Sequence, residues 1–261
     1  MIVVIVAYLV AAVFVAGLAS RIYAWAATPV PFKIPTTPAP KTYPGVTVRV
    51  LGEVLVFNSL FRADKLLWVG AWAFHAGLVL VIIRHLRYFL YPVPDWVMFM
   101  QTPGIWAGWL FPLPILYLLA RRLTLRRVIY ISILPDYFVL ALLGCIAGTG
   151  ILMRYVDRVY LVDVKAFILG LLTLQPVSPP TSAYFLAHIL LVCTLLAYFP
   201  FSKLMHMGGV FLSPTRNLAN NNRMVRHVNP WNAPVKVHTY EEYEDDFRDK
   251  MKAAGIPVEK E

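Results

Sequence analysis

The sequence predicts an all-α membrane protein, a bundle of five transmembrane helices with its N-terminus outside and its C-terminal tail cytoplasmic. Three observations predict this class. Hydrophobic residues make up 59% of the 261 residues and charged ones only 15%, whereas a soluble domain carries about 25% charged residues. The mean hydropathy is +0.64, so too little polar surface exists to coat a water-soluble particle. The charge-free runs also come in lengths near the roughly 20 residues that a helix needs to cross the hydrocarbon layer.

Taken in order, span 1 covers residues 2–20, an uncharged stretch with no Lys or Arg before it. A secretory signal has a basic start and a shorter apolar core, so this run reads as a retained first helix. Residues 28–41 hold Pro29, Pro31, Pro35, Pro38 and Pro40 and read as an extended loop. Residues 51–65 read as a short amphipathic segment. Span 2 covers 66–90 and carries His75, Arg84, His85 and Arg87. Span 3 lies near 104–120, span 4 near 137–153 and span 5 near 183–204. Residues 166–174 are apolar but too short to span, and are expected at the interface or packed on the bundle. The chain is polar from Met207 onward, so residues 1–206 form the membrane domain and 207–261 a cytoplasmic, partner-docking tail. Residues 241–252 read as a surface helix.

Orientation follows from the Lys and Arg bias of cytoplasmic loops. The loop after span 1 carries six such residues, the connector Arg121, Arg122, Arg126 and Arg127 carries four, and the chain from Lys203 carries nine. The N-terminus and the loop after span 2 carry none. These segments place the basic loops in the cytoplasm, and the net charge of +10 is assigned to topology. No reader motif for nucleic acid is present. Arg84 and Arg87 break the bias at the outer end of span 2 and need a reason.

Histidine supplies the chemistry. Four of six histidines fall in or at the edge of two spans: His75 and His85 on span 2, His188 and His206 on span 5. Ionisable groups within a bilayer are costly and mark function. His188 and His206 are 18 residues apart, five turns of continuous helix and roughly 27 Å of rise. His75 and His85 are 10 residues apart, roughly 15 Å and about 80° around the helix. Span 2 runs outward and span 5 inward, so His85 pairs with His188 in the outer half and His75 with His206 in the inner half. The two separations do not match on straight helices. Ligands so far apart cannot meet one ion. Two pairs at two depths suit two b-type haems, each with both axial positions filled, as transmembrane electron transfer requires. Arg84 and Arg87 are then candidate partners of the outer haem's propionates. A bis-histidine haem leaves no open site for oxygen, which favours an electron carrier. No Cys-x-x-Cys-His is present, which excludes a c-type haem. Cys145 and Cys193 lie in apolar runs and read as small buried apolar residues. Trp72, Gly77 and Arg84 neighbour the ligands and are the candidates for a quinone site. His227 and His238 read as surface groups.

The histidine pattern, with the stretch Pro200-Phe-Ser-Lys-Leu-Met-His-Met-Gly-Gly209, resembles the gamma subunit of respiratory nitrate reductase, a five-helix cytochrome b. The continuation Val210-Phe-Leu-Ser-Pro-Thr-Arg-Asn217 and the Asn-Asn-Asn that follows are more similar to the cytochrome b subunit of the dissimilatory sulfite-reductase-linked membrane complex, DsrM, with the heterodisulfide reductase membrane subunit a near relative. The resemblance covers residues 1–220. It implies His75 and His206 on the inner haem, His85 and His188 on the outer haem, menaquinol or menaquinone as exchangeable substrate, and a cytoplasmic iron–sulfur subunit of the heterodisulfide-reductase type among the partners. It also implies a place in the cytoplasmic membrane. A nitrate reductase type would serve a molybdenum partner instead. Outside the resemblance, a proton-relaying transporter would want acids within the spans, and Asp136 and Asp157 lie only at span ends. A membrane anchor with structural histidines would carry no haem.

Overall fold

A computed structural model describes residues 1–231 and 238–259. They divide into two compact units. The first is Met1–Thr28 with Ile34–Asn221, and the second is Pro29–Lys33 with the described residues from Asn222 onward. The described secondary structure is entirely helical.

The first unit is built on α1 (Ile2–Ala27), α4 (Lys65–Phe89), α6 with α7 (Gln101–Leu110 and Pro112–Thr124), α9 (Leu134–Tyr155) and α11 (Ala183–Tyr198). Five apolar stretches built on these are long enough to cross a membrane: Ile2–Ala27, Lys65–Phe89, Gln101–Thr124, Leu134–Tyr155 and Ala183–Phe201. The chain is a multi-pass membrane protein. Short helices fill the connections: α2 (Tyr43–Val56) and α3 (Asn58–Ala63) before α4, α5 (Asp95–Phe99) after it, and α8 (Arg126–Ile131) between α7 and α9. In the second unit α13 (Tyr240–Ala253) falls where residues 241–252 read as a surface helix. Residues 232–237 of the polar tail lie outside the described residues.

Around the bundle α1 packs on α11, α11 on α9, α9 on α7 and α7 on α4. The outer surfaces remain apolar, with Ile5, Leu9, Val13, Val79, Ile82, Leu113 and Leu116 all exposed, as lipid-facing helices require. One buried cluster joins Phe111, Ile115, Leu140 and Leu143. The other joins Val4, Val164, Phe167 and Phe185. The second cluster shows that α10 (Leu161–Leu172) packs on the bundle, and it also lies against α4.

Glycines permit two close approaches. A Cβ at Gly70 would meet the Tyr117 ring at 2.4 Å, and one at Gly104 would meet Arg84 Cβ at 2.6 Å. The helix starts follow ordinary capping. Asp64 accepts from the Leu67 N–H at 2.9 Å, and Ser182 accepts from the Phe185 N–H at 3.3 Å, satisfying donors that have no partner in the first turn.

Four expectations need correction. Helix α1 runs on to Ala27, because the basic Arg21 does not interrupt an otherwise apolar stretch. Span 3 is two helices meeting at Phe111, where Pro112 lacks the N–H that would continue the ladder. Span 5 does not reach residue 204 as α-helix. It ends at Tyr198, ahead of Pro200, and two single-turn 3₁₀ segments, Phe199–Phe201 and Lys203–Met205, lead to α12 (His206–Gly209). Cys145 is exposed, while Cys193 is buried.

Candidate functional site

The four span histidines come together as two pairs. The ring centres of His75 and His206 are 6.0 Å apart, nearly perpendicular at 84°. Those of His85 and His188 are 6.4 Å apart, nearly parallel at 11°. The pairing at two levels is the one the sequence predicts. The mismatch of separations is removed by the early end of α11. His188 lies 10 residues before Tyr198, the same run as His75 to His85, and both amount to roughly 15 Å of rise. Beyond Tyr198 the chain passes through two 3₁₀ segments rather than a continuous α-helix, so the straight-helix rise does not apply to it.

Hydrogen bonds fix the tautomers. Nδ1 of His75 is 2.7 Å from the Ala71 carbonyl, Nδ1 of His85 is 2.6 Å from the Val81 carbonyl, and Nδ1 of His206 is 2.8 Å from the Lys203 carbonyl. A carbonyl only accepts, so each Nδ1 carries the proton and each Nε2 keeps its lone pair. His188 is held differently, with Nδ1 3.1 Å from Thr149 Oγ1. The Thr149 hydroxyl donates to the Cys145 carbonyl at 2.8 Å, so its oxygen accepts from His188. A partner on the far ring nitrogen is the arrangement that orients an imidazole for metal ligation.

The pair spacings fit a metal between the rings. Two imidazole–metal bonds of about 2 Å, with the half-widths of two rings, sum to roughly 6 Å between ring centres. Among the described residues no group of three or more His, Cys, Asp or Glu side chains is placed to hold a metal ion.

The surroundings are aromatic and apolar. Phe57 and Phe74 each lie nearly perpendicular to the His75 ring with ring centres 5.0 Å away, and Tyr88 lies 5.9 Å from His85. Phe57 sits in the left-handed region at φ 52, a conformation uncommon for a bulky residue, and it forms the joint between α2 and α3. Gly150 gives His188 its space, since a Cβ there would be 3.3 Å from His188 Cε1.

The two arginines part company. Arg87 donates to Gln101 Oε1 at 3.1 Å, and buried Gln101 also donates to the Arg84 and Val97 carbonyls at 3.3 and 3.0 Å. Arg84 has a buried Nε without a hydrogen-bond partner among the described residues. Sequence reasoning missed Arg154 and Tyr155, where Arg154 Nε donates to the Tyr155 hydroxyl at 3.0 Å and Trp109 donates to the same oxygen at 2.7 Å.

Of the quinone-site candidates, the Trp72 indole donates to the Leu55 carbonyl at 3.1 Å and helps to satisfy the C-terminus of α2, together with Trp68 on Val56 at 2.7 Å. Gly77 is a packing position, since a Cβ there would be 3.2 Å from Phe111. In the second unit His227 lies 3.0 Å from the Val30 carbonyl, and His238 lies 3.6 Å from Glu242.

Residues 57–228 match the family described as nitrate reductase gamma subunit. Two relatives are both named Hdr-like menaquinol oxidoreductase cytochrome b-like subunit. The protein of Archaeoglobus profundus is 37% identical over 270 residues, covering 86% of this chain and 80% of its own length. That of Archaeoglobus fulgidus is 38% identical over 273 residues, covering 87% and 82%. On this family match and these two relatives, the chain belongs to the nitrate reductase gamma subunit family of membrane cytochromes b.

Proposed function

We propose that the chain is the dihaem cytochrome b of a heterodisulfide-reductase-like menaquinol oxidoreductase, passing electrons through the membrane between quinone and a cytoplasmic partner. The observation that carries this is the pairing of His75 with His206 and of His85 with His188, each at about the separation that a shared iron leaves, with Nδ1 the engaged nitrogen on all four. His75 and His206 would hold the inner haem, and His85 and His188 the outer haem. Held by these histidines, each haem would supply one-electron redox chemistry. Arg84 would face a propionate of the outer haem. Arg87, already engaged by Gln101, would support it from behind.

The Lys and Arg bias supports an N-terminus outside and a C-terminal tail inside the cytoplasmic membrane. Residues 1–206 serve as the electron-transfer domain and 207–261 as the docking tail. The partner proposed there is an iron–sulfur subunit, since this chain has two cysteines and no cluster motif. The names of both relatives favour the heterodisulfide-reductase-like assembly over a nitrate reductase. The sulfite-linked form, to which residues 210–217 point, is the narrower version of the same reading.

The test is a pyridine haemochrome assay and a reduced-minus-oxidised spectrum on the purified chain, with His75→Ala and His85→Ala alongside. Two b haems per chain, with one lost in each variant, is the expected result. No haem, or a haem insensitive to both changes, leaves a histidine-bearing anchor or transporter.

A further inference from the structure

The inner pair poses a structural problem. His75 sits in the middle of a regular helix, whose ladder fixes its height and direction. His206 does not. It begins a four-residue helix reached through two isolated 3₁₀ turns, and single turns of that kind have little rigidity of their own. An iron ligand has to be held within about half an ångström and 10–20° of its working geometry. Something outside the segment must supply that.

Buried Pro200 and Met205 root the segment, and Pro200 lies against α1, where a Cβ at Gly17 would be 2.7 Å from it. These contacts are apolar and allow rotation and sliding. One polar brace is directional. Lys203 Nζ lies 2.8 Å from Asp136 Oδ1, while the carbonyl of the same Lys203 accepts from His206 Nδ1 at 2.8 Å. Asp136 in turn is fixed in α9. Its Oδ2 accepts from the Ile133 N–H at 3.1 Å and lies 3.4 Å from Arg122. The Asp136 side chain is only 6% exposed, against 69% for Lys203. An ion pair with one partner so exposed adds little to stability, so its contribution lies in geometry.

We propose that Asp136 is a positioning residue for His206. Through the Lys203 side chain it holds the Lys203 carbonyl, and through that carbonyl it sets the rotation of the His206 imidazole about the inner site. This rests on the reading that His75 and His206 hold a haem.

The test uses the full chain with its haems, comparing Asp136→Asn, Lys203→Met and Lys203→Arg by redox titration and low-temperature EPR. His206→Ala identifies the inner signal. Asp136→Asn and Lys203→Met are expected to change the inner haem's low-spin signal in the same way and to leave the outer haem as it was. Lys203→Arg is expected to restore the original signal. The exposed Lys203 variants guard against a simple failure to fold. Three results overturn the proposal: unchanged signals in both variants, equal changes at both haems, or opposite potential shifts with unaltered EPR, which mark a through-space charge effect. If the unmutated chain holds no haem, or His206→Ala keeps both, the underlying reading fails and the proposal with it, an outcome visible before any brace variant is made.

Discussion

Thr149 Oγ1 lies 3.1 Å from His188 Nδ1, a side-chain partner beside the Ile146 backbone, whereas the Nδ1 groups of the other three paired histidines face backbone carbonyls. A backbone carbonyl cannot be removed by substitution, but a threonine hydroxyl can. An acceptor on the far nitrogen raises the basicity of a ligating imidazole and so favours the oxidised metal. On the dihaem reading proposed above, Thr149→Val is expected to raise the midpoint potential of the haem held by His85 and His188 and leave the other alone, with Thr149→Ser near the original. A redox titration of the three proteins decides it. Equal potentials in Thr149→Val and the parent would show that this hydrogen bond does not tune the site.

Gly150 is the second handle on the same histidine. With a Cβ already at 3.3 Å from His188 Cε1, a branched side chain must push the ring off its present line. On the same dihaem reading, Gly150→Val is expected to lose or broaden the signal of the haem held by His85 and His188, whereas Gly148→Val, at a position with open space, is expected to keep both signals. Similar spectra for the two valine variants would argue against a steric limit at the outer pair.

Gln101 joins α6 to the end of α4 by accepting from Arg87 and donating to the Arg84 carbonyl, and its amide also donates to the Val97 carbonyl in α5. Gln101→Leu leaves the Arg87 guanidinium short of a partner in a half-buried place, a change expected to cost about 1–3 kcal/mol. Thermal unfolding in detergent measures this as a lowered Tm. An unchanged Tm would mean that Arg87 finds another acceptor.

Asp64 caps α4 and links it to the basic connector. Its Oδ2 is 2.8 Å from Arg121 and 3.8 Å from Arg127. The Leu67 N–H and then the Arg121 guanidinium hold its carboxyl below the usual carboxylate range, although partial burial opposes them. A carboxyl lowered in the folded state stabilises above its unfolded value and loses that contribution as pH falls through the folded one. Asp64→Asn is therefore expected to lower the Tm at neutral pH, with the gap closing below about pH 4. A gap that stays constant down to acidic pH would show that the carboxylate charge is not what stabilises here.

The number and rough position of the membrane helices were written in the sequence, because a bilayer demands about 20 apolar residues per crossing and tolerates few charges between the ends. The identity of the paired histidines was written there too, because ionisable groups are so scarce within the spans that four histidines on two helices stand out. The tertiary structure decided what spacing could not. Helical arithmetic carried span 5 straight through Pro200 and left the two pairs at unequal separations. The chain instead leaves the α-helix at Tyr198 for 3₁₀ segments, since Pro200 cannot extend the ladder and Gly17 gives it a place to pack. The partners of Arg87, the threonine behind His188 and the aspartate behind Lys203 join residues from 14 to 67 positions apart. No local pattern encodes such contacts, because they depend on which faces the packed helices turn toward one another.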